Sequence, residues 1–405
     1  MAGYERFPRD PPAEAEKEPE NLSSKNDFAS LEASKEVLRA LEAMGITTPT
    51  QIQVETIPPM MAGRDIIGIA PTGTGKTIAF GIPMLEYISL TETRVQELVI
   101  APTRELAMQI VQELTDLARF IPQVRIAALY GGQPMARQIA QLKRRPQIVV
   151  ATPGRLLDMQ NRGHVRLDQV HTMVIDEADE MLKMGFVKDV TKIIESVPPE
   201  RQLVMFSATT NRDVMTISWK FQNEPVEITV EATKENRPQI TQYTIAVPRE
   251  DKMAALQYLL DADEFDRVMV FVNTKFMTQR VCDRLQKQGY QAEALHGDVR
   301  QSQRTRIMND FKRGKFPVLV STDVAARGID VDDVEAVINY DLPNENEYYL
   351  HRIGRTGRAR KHGVSFTMMT FQESVRMDEI LRYMQTRPSP LHFDEARILR
   401  REDGE

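Results

Sequence analysis

The residues with the clearest chemical meaning form a glycine-rich loop at positions 70–77, which reads Ala-Pro-Thr-Gly-Thr-Gly-Lys-Thr. An apolar run typical of a buried strand precedes the loop, and a second apolar run that can begin a helix follows it. Gly73 and Gly75 allow backbone N–H groups to turn inward toward phosphate oxygens, and the helix start adds partial positive charge. Lys76 can then reach the β- and γ-phosphates of a nucleotide, and the Thr77 hydroxyl can bind Mg²⁺. A chance glycine-rich turn with an exposed lysine is the alternative, and the flanking strand and helix make it less favoured.

An adjacent pair of carboxylates, Asp176 and Glu177, follows an apolar run at residues 173–175. If that run is a strand, Asp176 lies at the strand end that faces the phosphate loop, where it can hold a hydrated Mg²⁺. Glu177 is then placed to orient or deprotonate an attacking water. Such a pair can also cap a helix N-terminus. The phosphate loop upstream favours the metal and water roles.

These groups must be positioned by the elements between them, and the first half of the chain alternates short apolar runs with helical stretches. After the phosphate loop the apolar runs lie at residues 97–101, 125–130, 147–151, 172–175 and 202–206. This alternation predicts a parallel sheet covered by helices on both faces. Catalytic groups in such sheets gather at the carboxyl ends of the strands. The unusual polar segments of this chain follow the predicted strands in that way.

The second half repeats the alternation, so the fold class is α/β with two tandem parallel-sheet domains. Its apolar runs lie at residues 240–247, 268–272, 292–295, 318–321, 336–340 and 364–369. It carries no second glycine-lysine loop, so we expect only the first domain to hold a triphosphate by itself. The predicted organisation is a disordered acidic arm at 1–27, a first domain at 28–230, a linker at 231–239, a second domain at 240–372, and a short helix and tail at 373–405.

The composition is that of a large globular protein. The chain has 405 residues, of which 41% are hydrophobic and 27% charged, and this length favours two domains. Its single cysteine, Cys282, cannot form an internal disulfide, which favours a reducing compartment. No apolar run approaches a membrane span and the N-terminus lacks a signal-peptide core, so we expect a cytoplasmic protein with no membrane partner. A net charge of −6 argues against broad adhesion to nucleic acid, although a local groove of Arg and Lys can still bind it.

A series of motifs in a fixed order carries a family resemblance. The series comprises the phosphate loop, Pro-Thr-Arg-Glu-Leu at 102–106, Thr-Pro-Gly-Arg at 152–155, Asp-Glu-Ala-Asp at 176–179, Ser-Ala-Thr at 207–209, Ala-Arg-Gly-Ile-Asp at 326–330 and His-Arg-Ile-Gly-Arg-Thr-Gly-Arg at 351–358. From residue 28 to residue 369 the chain closely resembles the DEAD-box ATP-dependent RNA helicases, most of all bacterial members. The resemblance implies two tandem RecA-like domains joined by a short linker, with ATP and Mg²⁺ as cofactors and RNA as the partner.

The resemblance implies an adenine site in the first domain. Gln53 matches the glutamine that reads adenine, and the chemistry fits because a carboxamide donates and accepts hydrogen bonds together. Phe28 matches an isolated aromatic residue of the family, although a plain core residue is an equally good reading. Ile46 departs from the pattern, which commonly has an aromatic residue stacked on the base, so we expect a lower adenine affinity. The nucleotide contacts implied in this way are Phe28, Ile46, Gln53, Thr72, Gly73, Thr74, Gly75, Lys76, Thr77 and Asp330, the last as a ribose contact.

The resemblance also implies roles in hydrolysis for the second domain. Arg355 and Arg358 match two arginines that reach the γ-phosphate from the second domain, and His351 matches a member of the water and carboxylate network. An arginine of this kind accelerates phosphoryl transfer by about 10³ to 10⁵, which is enough to gate turnover. A surface basic cluster is the alternative, which the Gly-Arg-Thr-Gly-Arg spacing disfavours. The implied catalytic set is Lys76, Glu177, His351, Arg355 and Arg358, with Thr77 and Asp176 at the metal.

The RNA contacts implied by the resemblance go mainly to phosphate and sugar. They are Pro102, Thr103, Arg104, Gly132, Thr152 and Arg155 in the first domain, and Thr274 and Thr322 in the second. Small hydroxyls and backbone donors suit this role because they hold phosphates and 2′-hydroxyls without reading bases. Ser207 and Thr209 match a hydroxyl pair that links Asp179 to the domain interface and transmits the nucleotide state to the RNA.

Three functions remain open on the sequence alone. The favoured one is an RNA-stimulated ATPase that separates short duplexes locally when its domains close, working as a monomer. An ATP-gated RNA clamp, whose hydrolysis only times release, is the second. A DNA helicase or translocase is the third. A plain P-loop enzyme such as a nucleoside kinase is disfavoured because it would leave the arginine-rich second half without a task.

Overall fold

The computed structural model describes residues 27–401 except for 72, 231–238, 263–264, 327–333, 358–361, 385 and 394–398. The described residues form two compact units, one up to residue 230 and the other from residue 239 onward. The acidic arm at 1–26, most of the predicted linker, and the site residues Thr72, Asp330 and Arg358 lie outside the described residues. None of the described helices has the length and apolar character needed to cross a bilayer.

The first unit is built on a parallel sheet. Its strands are β1 (Ile66–Ile69), β2 (Glu97–Ile100), β3 (Ile126–Leu129), β4 (Ile148–Ala151), β5 (Thr172–Ile175), β6 (Gln202–Ser207) and β7 (Val226–Thr229). The seven strands are ordered β3-β4-β2-β5-β6-β1-β7, and all of their pairings are parallel. β7, which the sequence analysis did not predict, closes one edge against β1.

Helices cover both faces of this sheet. They are α1 (Lys35–Ala43), α2 (Gln51–Met61), α3 (Lys76–Tyr87), α4 (Arg104–Leu117), α5 (Met135–Leu142), α6 (Pro153–Asn161), α7 (Ala178–Lys183), α8 (Val187–Ser196) and α9 (Arg212–Phe221). Successive strand residues belong to two different apolar clusters: Ile66 and Phe206 pack in one, and Ile67 and Met205 in the other. A strand buried on both faces must be apolar at every position, which is why these runs do not alternate with polar residues.

The second unit repeats the plan with eight strands. They are β8 (Ile240–Ala246), β9 (Val268–Phe271), β10 (Ala292–Leu295), β11 (Val318–Ser321), β12 (Ala336–Asn339), β13 (Gly363–Met369), β14 (Ser389–Phe393) and β15 (Leu399–Arg401). Their order is β10-β11-β9-β12-β13-β8-β14-β15, and all pairings are parallel except the last. The helices are α10 (Lys252–Ala262), α11 (Lys275–Lys287), α12 (Gln301–Lys312), α13 (Asp323–Ala326), α14 (Asn346–Ile353) and α15 (Ser374–Met384), with a short 3₁₀ turn at Phe371–Glu373. The predicted fold class, α/β with two tandem RecA-like parallel-sheet domains, is confirmed.

The C-terminal segment contributes more than the short helix and tail expected from the sequence. After α15 the chain adds β14 beside β8 and turns back into β15. Leu391, Phe393 and Leu399 are buried in the core of the second unit. In β14, Leu391 and Phe393 alternate with exposed Pro390 and His392, which is the period of two expected for a strand with one buried face.

Candidate functional site

The glycine-rich loop connects β1 to α3, and two of its glycines have a backbone that other residues rarely adopt. Gly73 has φ +80° and Gly75 has φ +91°. A Cβ atom built on Gly75 would lie 2.4 Å from Gln53 Nε2. Both the positive φ and the close approach therefore require glycine at position 75.

Gln53 holds this loop from the start of α2. Its Oε1 accepts a hydrogen bond from the Thr50 N–H at 2.9 Å, and its Nε2 donates to the Gly75 carbonyl at 3.0 Å. The Thr50 hydroxyl donates to the Thr74 carbonyl at 2.8 Å. The carboxamide is only 2% exposed. The structure thus places Gln53 directly against the loop, in contact with its backbone.

The two apolar residues expected near an adenine ring belong to the core of the first unit. Phe28 is 3% exposed and packs within the apolar cluster that includes α1 and α2. Ile46 is partly buried against the same cluster. For Phe28 the structure therefore agrees with the core reading that the sequence left open.

Lys76 and Asp176 bring a cation and a carboxylate together beside the loop. Lys76 Nζ donates to the Ala70 carbonyl at 3.3 Å and lies 3.9 Å from Asp176 Oδ1. Both side chains are buried, and Thr77 next to Lys76 is buried as well. Because neither charge has full access to water, each depends on the other and on backbone groups for compensation.

Burial is the main influence on the pKa of Asp176. Loss of solvent raises the pKa of this carboxyl, and the Asp179 carboxylate adds to the increase. The Lys76 ammonium and the N–H of Glu177, which donates to Asp176 Oδ1 at 2.9 Å, partly oppose it. The site therefore disfavours a bare carboxylate and would favour one that binds a cation.

Glu177 follows Asp176 in a left-handed backbone conformation, with φ +50° and ψ +50°. It is the N-cap residue of α7, yet its side chain accepts no capping hydrogen bond from that helix. The helix-cap reading of the acidic pair therefore has no support from α7. A half-buried carboxylate remains at the strand end, one residue after Asp176.

The three residues expected to couple the sites are joined by hydrogen bonds. The Thr209 hydroxyl donates to Asp179 Oδ2 at 2.9 Å. The Ser207 hydroxyl donates to the Thr209 carbonyl at 2.6 Å and accepts from the Thr209 N–H at 3.2 Å. Through Asp179 in α7 and Ser207 in β6, this cluster links the turn after β6 to the helix that follows Glu177.

Polar groups follow β2, β3 and β4, which are neighbours in the sheet. Pro102 and Thr103 are buried, and the Thr103 hydroxyl caps α4 by accepting from the Leu106 N–H at 3.2 Å. A Cβ atom on Gly132, where φ is +81°, would lie 2.1 Å from Arg104 Nη1. The Arg104 guanidinium thus rests directly on the glycine turn after β3.

Arg155 is oriented by a residue that the sequence analysis missed. Its Nη1 donates to Gln138 Oε1 at 3.1 Å and to the Gln133 carbonyl at 3.3 Å. Gln138 is fully buried and donates to the Tyr130 carbonyl at 2.8 Å. The available signal was a polar residue in the middle of α5. Thr152, at the N-cap position of α6, precedes Arg155 on the same turn.

The second unit presents its own polar edge. Thr274 is exposed and caps α11, accepting from the Met277 N–H at 3.2 Å, and Thr322 accepts from the Ala325 N–H at 3.4 Å. His351 and Arg355 are half-buried, and both line a small cavity with Asp323 and Phe271. Thr274 and Thr322 therefore lie at the carboxyl ends of β9 and β11, and His351 and Arg355 line a cavity with Asp323, which follows β11.

Arg352 is a buried charged residue at this edge that the sequence analysis did not single out. Its guanidinium is 1% exposed and bonds both oxygens of Asp323, at 2.5 and 2.7 Å. Further bonds reach Asn273 Oδ1 at 2.8 Å, Asn339 Oδ1 at 3.3 Å and the Asp341 carbonyl at 2.6 Å. The guanidinium also lies 5.3 Å from the centre of the Phe271 ring. Its position between His351 and Arg355 was the available signal.

Comparisons with known proteins agree with these features. The family model for the DEAD/DEAH box helicase matches residues 50–217, and that for the helicase conserved C-terminal domain matches residues 251–360. A DEAD-box ATP-dependent RNA helicase CshA of Geobacillus kaustophilus is 45% identical over 91% of this chain and 79% of its own length. The ATP-dependent RNA helicase CshA of Listeria monocytogenes is 43% identical over 91% of this chain and 71% of its own length.

Two solved structures are also similar to this chain over most of its length. Saccharomyces cerevisiae Dbp5 bound to RNA and ADP BeF3 is similar with a TM-score of 0.83 and 29% identity, covering 92% of this chain and 97% of that one. A DEAD box protein from Methanococcus jannaschii is 37% identical with a TM-score of 0.53, covering 90% of this chain and 99% of that one. The resemblance to bacterial members found in the sequence is confirmed. With both family models matched in order and the phosphate loop and carboxylate pair in place, the chain belongs to the DEAD-box family of ATP-dependent RNA helicases.

Proposed function

We propose that this protein hydrolyses ATP when RNA is bound and uses domain closure to separate short RNA duplexes locally, without long translocation. The observation that carries the proposal is the buried pair of Lys76 and Asp176 at the phosphate loop, with Glu177 one residue further on. A cation for phosphate, a carboxylate for a metal and a second carboxylate for water are the parts that phosphoryl transfer to water needs.

The first unit is proposed to hold ATP and Mg²⁺. Lys76 would bind the β- and γ-phosphates, the loop N–H groups would surround them, and Thr77 and Asp176 would hold the ion. The fit is good because burial raises the pKa of Asp176, and a divalent cation would favour the charged form of this carboxylate. When bound, Mg²⁺ neutralises charge on the phosphate oxygens. In the described part of the chain, groups of three or more His, Cys, Asp or Glu that could hold a metal are absent, in keeping with an ion that shares its ligands with phosphate and water.

Adenine recognition is proposed for Gln53 and Ile46. The Gln53 amide already contacts the backbone of Gly75, so it would connect the base to the phosphate loop. Ile46 would cover the ring by dispersion alone, without aromatic stacking. The roles of Thr72 and Asp330 in the same site are proposed from the family resemblance alone.

The second unit is proposed to complete the catalytic site. Arg355, Arg358 and His351 would reach the terminal phosphate only when both units hold ATP and RNA. Arg352 anchors α14, the helix that precedes Arg355, through its buried bonds to Asp323. An arginine that reaches the terminal phosphate only on closure would accelerate phosphoryl transfer by about 10³ to 10⁵, so ATP turnover would remain slow until closure.

RNA is proposed to lie across the polar edges of both units. Arg104, Thr152 and Arg155 would contact it in the first unit, together with Pro102, Thr103 and Gly132, and Thr274 and Thr322 would contact it in the second. The names of the relatives support RNA as the partner, and so does the Dbp5 structure bound to RNA. Contacts of this kind give affinity without sequence preference. Closure onto one bent strand would then exclude its paired partner, and the Asp179, Ser207 and Thr209 cluster would link that step to the nucleotide.

The deciding experiment measures ATP turnover with and without single-stranded RNA, and with DNA of the same sequence. We expect strong stimulation by RNA only. Glu177→Gln should abolish turnover and leave ATP binding largely intact, because it removes the water-orienting carboxylate while keeping Lys76 and Asp176. Equal stimulation by RNA and DNA would support the DNA helicase instead.

A strand-separation assay with a short RNA duplex, run beside the ATPase assay, tests the second candidate. An ATP-gated RNA clamp would hydrolyse ATP without separating the duplex. We also propose that the protein acts as a monomer in the cytoplasm, since closure needs only one chain. Sedimentation with ATP analogue and RNA checks the monomer, and a dimer under these conditions would contradict it.

A further inference from the structure

Phe276 is a large apolar side chain that the core of the second unit does not use. The ring is 69% exposed and belongs to the first turn of α11. The buried face of α11 consists of Thr278, Val281, Cys282 and Leu285. Because successive helix residues are about 100° apart, Phe276 lies roughly 200° from Thr278 and points away from that face. Core packing therefore does not account for an aromatic residue at this position.

The ring stands at the sheet edge that carries the proposed RNA contacts of this unit. Thr274, which begins α11, is exposed and lies two residues before Phe276. Thr322 follows β11, which pairs directly with β9. In that pairing Ser321 of β11 lies beside Phe271 of β9. Parallel strands bring their carboxyl ends to the same edge. The two threonines and the aromatic ring therefore share one surface.

Polar contacts fix the surroundings of the ring without covering it. Lys275 Nζ lies 2.8 Å from the Asp298 carboxylate, and His296 Nε2 lies 3.3 Å from Gln279 Oε1. Asp298 and His296 belong to the turn after β10, so both contacts join that turn to the first half of α11. The ring thus stands on a positioned part of the fold while most of its surface faces solvent.

We propose that the Phe276 ring stacks on one base of single-stranded RNA bound to this unit. This inference rests on the proposed RNA contacts of Thr274 and Thr322, and it adds a contact to a base. Contacts to phosphate and sugar leave the bases of a single strand without partners in the protein. An aromatic ring accepts any base because every base has a π face. The stacking adds affinity without adding a sequence code.

The competing explanation is a single exposed apolar residue without a role, which is common on protein surfaces. The chain offers a matched control in Phe371, which is 92% exposed in the same unit. Phe371 follows β13, which lies two strands from β9 on the side away from β11 and Thr322. Either substitution deletes the same phenyl ring, but Phe276 is in the first turn of the helix that Thr274 caps, whereas β12 separates β13 from the strands that precede both threonines.

The experiment measures the affinity of the full chain for short labelled single-stranded RNA by fluorescence anisotropy, with Mg²⁺ and a non-hydrolysable ATP analogue. Phe276→Ala should weaken binding by about 5- to 150-fold, the range that corresponds to loss of one stacked base. Phe276→Trp should keep the affinity, and Phe371→Ala should leave it unchanged. The salt dependence of binding should have the same slope in all variants, because no charge is removed.

A series of RNAs, each lacking one base, then separates stacking from a structural effect. At one position the wild-type protein should lose the same factor as Phe276→Ala, and the variant should lose nothing further there. Wild-type affinity in Phe276→Ala overturns the inference, and so does a loss that adds to the missing base at every position. Failure of the wild-type protein to bind any RNA would instead contradict the proposed function itself.

Discussion

Removal of the Asp323 carboxylate should destabilise the second unit more than removal of its arginine partner. In Asp323→Ala the Arg352 guanidinium, 1% exposed, would keep its charge after losing both of its carboxylate hydrogen bonds and with little access to water. Breaking a buried ion pair in this way costs about 3–5 kcal/mol. A domain is stable by only about 5–15 kcal/mol, so the loss is a large fraction of the total.

Arg352→Met is the matched variant because methionine fills much of the same volume without a charge. The Asp323 side chain left behind is 14% exposed and can regain water. Asn273, Asn339 and the Asp341 carbonyl would each lose one hydrogen-bond donor, at about 1 kcal/mol apiece. We therefore expect a cost of about 3 kcal/mol for Arg352→Met, at the lower end of the range for Asp323→Ala. The double variant should cost less than the two changes added together, since one removal cancels the unpaired charge left by the other.

Urea unfolding followed by hydrogen exchange, read peptide by peptide, gives each unit its own transition. Peptides from β9, β11 and β12 should lose protection at lower urea in Asp323→Ala, while peptides from β1 and β6 serve as the internal control. The reasoning fails if Asp323→Ala stays within about 1 kcal/mol of wild type, or if Arg352→Met proves the more harmful change.

Three further outcomes follow from the first unit. Gly75→Ala should destabilise the loop conformation by about 1–2 kcal/mol, because the φ of +91° at this position is left-handed and the Cβ of alanine would meet Gln53. The affinity for a fluorescent ATP analogue should fall as a result. Burial holds the pKa of Glu97 well above its usual range. The stability that its protonated form provides is therefore lost as pH rises through the folded-state pKa, and Glu97→Gln should become increasingly stabilising. The gap in melting temperature between Glu97→Gln and wild type should be larger at mildly alkaline than at mildly acidic pH, and a constant gap would contradict this. Thr209→Val removes the 2.9 Å hydrogen bond to Asp179, which contributes about 1.5–3 kcal/mol when the acceptor is charged. The number of RNA strands separated per ATP hydrolysed should fall, and an unchanged number would exclude Thr209 from coupling.

The Glu97 pair also illustrates how burial opposes ion pairing. His171 Nδ1 lies 3.2 Å from Glu97 Oε1, which is within ion-pair distance. Burial nevertheless raises the pKa of Glu97 and lowers the pKa of His171, so both groups tend toward their neutral forms. Loss of water therefore opposes the formation of a charged pair at this contact.

The strands and the phosphate loop could be predicted from the sequence because their residues obey strong local rules. β1, β2, β4 and β5 are short apolar runs whose type follows from burial on both faces, and Gly75 marks a backbone turn that other residues resist. β14 was missed because Pro390 and His392 interrupt its apolar residues. Its strand conformation depends on pairing with β8, which is distant in the sequence.

The polar residues inside the sites were harder to predict because charged side chains are usually exposed. Arg352 was grouped with its neighbours His351 and Arg355, since no local pattern distinguishes a buried guanidinium from an exposed one. Its burial depends on Asp323 and on Asn273, each supplied by a different strand end. Gln138 was missed for the same reason: its partner Arg155 lies in another helix.

The left-handed backbone at Glu177 places folding stability in conflict with the proposed role of its carboxylate in ATP turnover. A non-glycine residue with this conformation costs about 1–2 kcal/mol relative to one that adopts it freely. Glycine at this position would relieve that cost and delete the carboxylate in the same step. With the proposed role of Glu177 in orienting water, a library screened only for heat resistance should therefore enrich glycine at this position and lose ATP turnover.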